Sequence, residues 1–385
     1  MATLAARGAG AILGAVVGDA ASLGTHWLYA RAAVEKAVGG PLGTGGEFTH
    51  PPIPAYHAAR RAGQGTMYAE GLLCMLRALA TNDNHFTETA FLEEWRKAFG
   101  LCGTFSGYAD HTTRATLYNM LTLAHNNEAA TAPPKSVPEA ARGPLYLGVK
   151  AAAAALSGEA LAARAAAVAA EAGAPGEAPW AVAAAAAWER MRGPVASEDV
   201  ESNTLGKLVP AAVAAAGKAD FAERVARAIR VTQGSEEVLG HFVPLARAIE
   251  AVVLGSATTP RAAVEAALAH YDEAHGARVR EALAAADAGE DTWAATARFG
   301  ASCKAANTAP MVAFVLARYG GEGFEAAIRH NLVGDSASRA CIIGAVLGGL
   351  GVGSGSGPPG AWVARLDPAL REETLALASA IAGRL

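Results

Sequence analysis

The chain has 385 residues, of which 52% are hydrophobic and only 18% are charged. This composition supports a sizeable buried core and excludes a globally disordered protein. The formal net charge of -4 argues against a nucleic-acid or anionic-membrane surface, because such surfaces need clustered positive charge. The four cysteines are far apart and form no C-x-x-C pair. They predict reduced thiols in a cytoplasmic protein rather than a zinc ribbon or a disulfide framework.

The N-terminal stretch MATLAARGAGAILGAVVGDA predicts an apolar helix. Gly14 and Gly18 interrupt its apolar run and Asp19 ends it, so it lacks the roughly 18 uninterrupted apolar residues of a membrane span. We therefore expect no membrane association. Gly10, Gly14 and Gly18 recur every four residues, which places them on one helix face and predicts close packing on another helix.

The residues that follow predict a long loop and then mostly helices. The stretch 38–65 is rich in Gly, Pro and His, which is typical of a long surface or functional loop. Further along, apolar residues recur at spacings of three and four, which indicates helices. These helices cover 69–80, 244–255, 260–271, 309–320 and 324–334. The stretch 128–200 is Ala-rich and predicts thin-walled helices of the same domain, since alanine favours helix but buries little area.

Boundary residues support these helices. Gly255 and Gly320 stand where a C-terminal glycine is expected, and Asp367 predicts the N-cap of a last helix. The prolines expected at first helical positions are Pro260, Pro310 and Pro368. Alternating runs of β-branched and aromatic residues are too few to build a sheet. The sequence therefore predicts one all-α domain over 1–385.

Common nucleotide-binding and catalytic signatures are absent from the sequence. Gly206-Lys207 is followed by Leu208, so it is not a phosphate-binding loop. The Gly-rich stretch 349–360 lacks the dinucleotide-binding spacing and follows no predicted strand. Neither H-E-x-x-H nor G-x-S-x-G occurs. We therefore expect no nucleotide cofactor and no zinc-protease or serine-hydrolase chemistry.

The segment NLVGDSASRACIIGAVLGG (331–349) runs from a polar loop into an apolar helix. Gly344 and Gly348 repeat the four-residue spacing of the N-terminal helix. If the two glycine faces pack on each other, Asp19 at the end of one helix and Asp335 at the start of the other lie near a shared cavity. An acid at a helix end opposes the helix dipole, which favours a site role for Asp19. Asp335 is also a good N-cap residue, so we expect it to cap this helix as well as to serve in the site.

Three further segments also join polar residues to apolar helices. RRAGQGTMYAEG (60–71) carries Glu70 in a predicted first turn, where compensation of the helix dipole is the alternative to a site role. ESNTLGKLVP (201–210) and VTQG (231–234) place Ser202 and Gln233 beside helices, where either could be a cap.

Taken in order, these segments resemble the ADP-ribosylglycohydrolase-like family, most closely its branch with the J-type lens crystallins. GDAASLGTHWLY is similar to that family's opening Gly-Asp-Ala motif, and TMYAEG to its second, acidic turn. SNTLGKLVP is similar to its polar-then-proline segment, Thr232-Gln233 to a Thr-His or Thr-Gln pair, and NLVGDSASRA to its closing acidic motif. The resemblance covers nearly the whole chain and implies a compact orthogonal multi-helix bundle.

The resemblance implies a hydrolase that cleaves an ADP-ribosyl N- or O-glycosidic bond in a small molecule or a modified side chain. The catalytic residues that it implies are Asp19, Asp335 and Glu70. The implied ligand-binding residues are His26, Trp27, Tyr68, Thr66, Asn331 and Gln233. The implied magnesium ligands are Asp335, Ser338 and Glu70.

The sequence departs from the family's metal motifs. Ala337 stands in place of the second acid of the closing motif, and Glu70 is the one carboxylate left in the second motif. Hard cations need clustered anionic oxygens, so we expect one Mg²⁺ ion or none. Two functions remain open: the hydrolase, and a catalytically inactive crystallin-like member with a ligand-binding or structural role. An obligate oligomer whose cleft is an interface is a third.

Overall fold

The computed structural model describes residues 2–52, 56–100, 102–120, 133–156, 158–190 and 195–385. These residues form helices and turns and contain no β-strand, and two isolated β-bridges join loops. The predicted all-α class is confirmed for this part of the chain.

The helices follow one another along the chain, most of them with short connections and α2 and α3 with a long one. The N-terminal part contains α1 (Leu4–Ser22), α2 (Arg31–Val38), α3 (Met67–Thr81), α4 (Glu88–Phe99) and α5 (111–120). The middle part contains α6 (Glu139–Ala155), α7 (Gly158–Glu171), α8 (Ala178–Arg190), α9 (Leu205–Ala215), α10 (Phe221–Arg230) and α11 (Glu236–Leu254). The C-terminal part contains α12 (Pro260–Leu268), α13 (Glu273–Asp287), α14 (Thr292–Phe299), α15 (Ala305–Tyr319), α16 (Phe324–His330), α17 (Ser336–Leu350), α18 (Gly360–Val363) and α19 (Pro368–Ala382).

The five helices predicted from apolar spacing are present as α3, α11, α12, α15 and α16. Asp367 caps α19, accepting a hydrogen bond from the Ala369 amide at 3.1 Å. The prediction that Pro310 begins a helix is wrong, because α15 begins at Ala305. Proline removes one N–H from the helix ladder, but the residues around Pro310 are buried, so packing outweighs that loss. The described residues between α2 and α3 contain no helix or strand, in agreement with the long loop predicted there.

Helices α1 and α17 pack on each other through their glycine faces, as the spacing predicts. A Cβ atom built on Gly10 would lie 2.6 Å from the carbonyl oxygen of Gly348, and one built on Gly14 would overlap the carbonyl oxygen of Gly344. A Cβ atom on Gly18 would lie 2.6 Å from the carbonyl oxygen of Ala340. Residue numbers rise along α1 while the residues that they face on α17 fall from 348 to 340. The two helices are therefore antiparallel. The end of α1 therefore lies beside the start of α17.

Contacts divide the chain into two compact units. One contains residues 1–113 and 198–385, and includes α1, α3, α9 and α17. The other contains 114–197, where α6, α7 and α8 surround a core of small side chains, mostly alanine. The sequence predicts this Ala-rich region as part of a single domain, whereas the structure groups it as a compact unit of its own.

One stretch, Leu4–Thr25, is long and apolar enough to cross a membrane by length and composition alone. Within it, 61% of an apolar 18-residue window is buried inside the protein. A core helix passes the same test, and α1 packs against α17 and α19 within its unit.

Candidate functional site

Asp335 lies fully buried immediately before α17 and accepts hydrogen bonds from four side chains. Its Oδ1 atom accepts from the Trp27 indole N–H at 3.2 Å and from the Tyr68 hydroxyl at 3.1 Å. Its Oδ2 atom accepts from the Ser202 hydroxyl at 2.6 Å and from the Ser338 hydroxyl. Four of the five segments that resemble family motifs thereby meet at one carboxylate.

The backbone around Trp27 aims its indole at Asp335. Trp27 has a φ of 65°, a left-handed conformation that costs a non-glycine residue about 1–3 kcal/mol. Its amide donates to the Gly334 carbonyl at 2.7 Å, and the Gly334 amide donates to the Leu28 carbonyl at 2.6 Å. Gly334 has a φ of 61°, and a Cβ atom there would overlap the Ala301 carbonyl oxygen. The short bridge between the two loops therefore holds Trp27 in its strained position.

His26 caps α17 in place of Asp335. Its Nδ1 atom accepts a hydrogen bond from the Ala337 amide at 3.2 Å, and burial lowers the pKa of His26, so the ring is neutral with its proton on Nε2. That Nε2 atom lies 3.7 Å from the Asp335 Oδ1 atom and has no hydrogen-bond partner among the described residues. The Asp335 side chain makes no capping bond, so the capping role predicted for Asp335 beside its site role is wrong. The two carboxylate oxygens of Asp335 accept hydrogen bonds from four side chains instead, so neither is free to cap the helix.

Asp19 is joined to the same cluster through the start of α3. Its carboxylate accepts from the Thr66 amide at 2.7 Å and from the Thr66 hydroxyl at 2.5 Å. Thr66 is the N-cap of α3 and accepts from the Tyr68 amide at 3.1 Å. The Tyr68 hydroxyl in turn donates to Asp335. Asp19 and Asp335 are therefore linked by hydrogen bonds through Thr66 and Tyr68, in the first turn of α3.

The sequence model of the family described as ADP-ribosylglycohydrolase matches residues 1–385. The chain belongs to the ADP-ribosylglycohydrolase family. A solved structure titled "ADP-ribosylglycohydrolase-related protein complex" is similar over 99% of this chain and 98% of that chain, with a TM-score of 0.57 and 19% sequence identity. At that identity the likeness shows the fold alone. No curated protein matches the chain. The predicted resemblance is confirmed at the level of the family.

In this ADP-ribosylglycohydrolase family member, we expect Asp19→Asn to flatten the dependence of stability on pH between 3.8 and about 6. Burial raises the pKa of Asp19 from 3.8 to about 6, against the opposing Thr66 hydrogen bonds. Between these two pH values Asp19 keeps its proton in the folded protein and has lost it in the unfolded chain. The stability of the wild type therefore falls as the pH rises through this range. The full shift corresponds to about 3 kcal/mol. Urea unfolding at several pH values measures the free energy of unfolding of the two proteins. If this free energy changed with pH equally in both, the prediction would be contradicted.

Glu70 lies in a different group of charges from the Asp335 cluster. Its carboxylate pairs with the Arg77 guanidinium at 3.1 Å, and Arg77 also pairs with Glu373 at 2.7 Å. With Arg60 these residues line a cavity of about 180 Å³. No hydrogen bond or ion pair within the described part of the chain links Glu70 to Asp335. The predicted catalytic and metal-binding roles of Glu70 therefore lose their geometric support.

The magnesium ion expected for an ADP-ribosylglycohydrolase does not fit these residues. Both oxygens of Asp335 already accept hydrogen bonds from the protein, Ser338 directs its hydroxyl hydrogen at that carboxylate, and Glu70 is paired with Arg77. The residues that the structure describes contain no group of three His, Cys, Asp or Glu side chains able to hold a metal ion. The chemistry proposed below uses no metal.

Arg339, which the motif reading passed over, is fully buried in α17. Its Nε atom donates to the Asn331 side-chain oxygen at 2.8 Å, and its Nη2 atom donates to the Val333 carbonyl. The Asn331 side-chain nitrogen donates to the Ser336 carbonyl at 2.7 Å. Asn331, predicted to bind ligand, thus uses both amide atoms to hold Arg339 and the first turn of α17.

Glu201 is a candidate acid that the motif reading missed. Its amide donates to Asp199 Oδ1 at 2.9 Å, and the buried Gln233 donates to its carbonyl at 2.8 Å, which fixes the main chain. Its carboxyl is partly exposed and has no hydrogen bond or ion pair with any residue that the structure describes. Burial, and then the negative charges of Asp110 and Asp199, raise the pKa of Glu201 to about 7. Such a group can donate a proton near neutral pH. The position of Glu201 directly before Ser202, inside a predicted motif, is the sequence signal that could have identified it.

Gln233 is the last of the predicted ligand-binding residues. It is fully buried, and its side-chain oxygen accepts from the Thr204 amide at 3.0 Å. Together with its bond to the Glu201 carbonyl, this contact fixes both ends of the motif that carries Ser202. Gln233 therefore acts on a ligand only through the position of this segment.

Aromatic rings cover the outer side of Trp27. The His57 ring stacks on it with 5.2 Å between centroids, while Tyr56 and Tyr108 meet it edge-on at 4.9 Å and 5.1 Å. Tyr56 is 60% exposed, so this wall reaches solvent. The loop predicted over 38–65 supplies two of the three rings.

Proposed function

We propose that this protein hydrolyses an N- or O-glycosidic bond of an ADP-ribosylated side chain or small molecule, as a member of the crystallin-like branch. Family membership supports hydrolase chemistry. The observation that carries the proposal is the meeting of four of the five family-like segments at Asp335, through Trp27, Tyr68, Ser202 and Ser338. The partly exposed Glu201 directly precedes one of these residues.

Glu201 is the general acid in this proposal. Its carboxyl gives a proton to the departing oxygen or nitrogen, water adds to the anomeric carbon, and a proton of that water returns to Glu201. Asp335 is a positioning residue, because its oxygens are occupied by Tyr68, Trp27 and the two serines. The exposed aromatic wall offers flat apolar surface for a ring of the substrate.

We expect Glu201→Gln to lower the rate constant for release of ADP-ribose by about 10²–10⁴-fold. The amide keeps the shape of the side chain but has no acidic proton. Wild-type activity should also fall as the pH rises above about 7, where Glu201 loses its proton. The measurement is the pH profile of ADP-ribose release from ADP-ribosylated peptides and small molecules.

Glu237→Gln is the matched control, because Glu237 is an exposed acid in the first turn of α11. It should leave the rate unchanged. If Glu201→Gln and Glu237→Gln both retain wild-type activity, Glu201 is not the acid.

A second candidate function, ligand binding without turnover, rests on the saturation of Asp335 with protein donors. In that case calorimetry would detect binding of ADP-ribose, and no ADP-ribosylated substrate would be cleaved at any pH. Turnover of one such substrate that is lost in Glu201→Gln excludes this alternative.

A further inference from the structure

The hydrogen-bonding capacity of Asp335 is fully used by the protein. A carboxylate offers about four lone-pair directions, two on each oxygen. In Asp335 the Trp27 indole and the Tyr68 hydroxyl take Oδ1, and the Ser202 and Ser338 hydroxyls take Oδ2. The side chain is fully buried, so no solvent competes for these directions.

A fifth donor beside the same carboxylate is independent evidence of this saturation. The His26 Nε2 atom carries the ring proton, since Nδ1 accepts from the Ala337 amide. It lies 3.7 Å from the Asp335 Oδ1 atom, beyond hydrogen-bond distance, and has no other partner among the described residues. A buried donor left unpaired beside a carboxylate costs about 1–3 kcal/mol, and it stays unpaired because both directions on Oδ1 are taken.

The positive charge near Asp335 also comes from the protein. Arg339 is fully buried in α17, the helix that Asp335 precedes. Burial lowers the pKa of Arg339, and the nearby negative charge of Asp335 opposes that lowering. A divalent cation placed at Asp335 would be repelled by this guanidinium. It would also have to displace at least one buried donor and leave that donor unpaired.

We propose that the hydrogen bonds from Trp27, Tyr68, Ser202 and Ser338 replace a cation at Asp335, so that this cluster holds its shape without divalent metal and takes none up. The two positions that would complete a metal site agree with this. The Ala337 side chain has no ligand atom, and Glu70 is paired with Arg77. The inference concerns binding and does not depend on the proposed hydrolysis.

The test follows the Trp27 indole N–H during a titration with Mn²⁺, because this proton points at the Asp335 carboxylate. The chain has six tryptophans, so the five other indole signals in the NMR spectrum serve as internal references. Trp27→Phe assigns the Trp27 signal by its disappearance. We expect Mn²⁺ to broaden the Trp27 signal no more than the others. Selective loss of the Trp27 signal, restored by excess Mg²⁺, would overturn the proposal.

Asp335→Asn is the control for a second measurement, the melting temperature in millimolar Mg²⁺ and in EDTA. The amide keeps the shape of the side chain but removes its charge. We expect the difference in melting temperature between wild type and Asp335→Asn to be the same in both solutions. A shift by Mg²⁺ that both proteins share comes from another site and leaves the proposal standing. A shift of the wild type alone would contradict it.

Discussion

Replacing Gly344 by alanine is expected to destabilise the protein by about 3 kcal/mol or more. The new methyl group would overlap the carbonyl oxygen of Gly14 on the facing helix. This obstacle is backbone, so it cannot move aside by changing a rotamer, and α1 and α17 would have to separate along their length. Urea unfolding of the two proteins measures the loss.

Gly71→Ala is the matched control for this substitution. Gly71 lies inside α3, and a Cβ atom there would have nothing within 4 Å. Alanine in a helix interior is favoured over glycine by about 0.5–1 kcal/mol, so this variant should be slightly more stable than wild type. If Gly344→Ala were as stable as Gly71→Ala, the close approach of the two helices would be wrong.

Asp335→Ala is expected to cost about 3–5 kcal/mol of stability, because it leaves three buried donors and the partly buried Trp27 indole without their acceptor. Asp335→Asn should cost less. Its side-chain oxygen can accept from Trp27 and Tyr68, while the hydroxyls of Ser202 and Ser338 can turn to accept from its nitrogen. The free energies of unfolding in urea rank the two variants, and equal losses would contradict the proposed arrangement.

Asp291→Ala provides the scale for this comparison. Asp291 is an exposed aspartate that caps α14 with a single bond, from the Ala294 amide at 2.8 Å. Its replacement should cost about 1 kcal/mol. A loss of similar size for Asp335→Ala would mean that the buried cluster contributes no more than one surface cap.

The features that follow from the geometry of a single helix could be predicted from the sequence. The four-residue spacing of glycine predicted the α1–α17 contact, and with it the neighbourhood of Asp19 and Asp335. The same geometry also explains why Glu70 lies away from Asp335. Residues two apart on a helix point in different directions, so once Tyr68 faces Asp335, Glu70 on the same turn cannot.

The features that depend on partners distant in the sequence could not be predicted. His26 caps α17 through the Ala337 amide, so the cap of that helix lies far from it in the chain. Asp335 lost its expected capping role for the same reason, since donors from distant segments determine where its oxygens point. The raised pKa of Glu201 arises from burial and from neighbouring acids, which a motif does not contain.

The antiparallel pairing of α1 with α17 also bears on how the protein folds. Gly14 and Gly344 are separated by most of the chain, so their contact carries a large loop-closure entropy and a high contact order. During synthesis, α1 emerges long before the helix that covers its glycine face. The Asp335 cluster can therefore assemble only after the residues from Trp27 to Ser338 have left the ribosome, which makes it later than the local helix contacts.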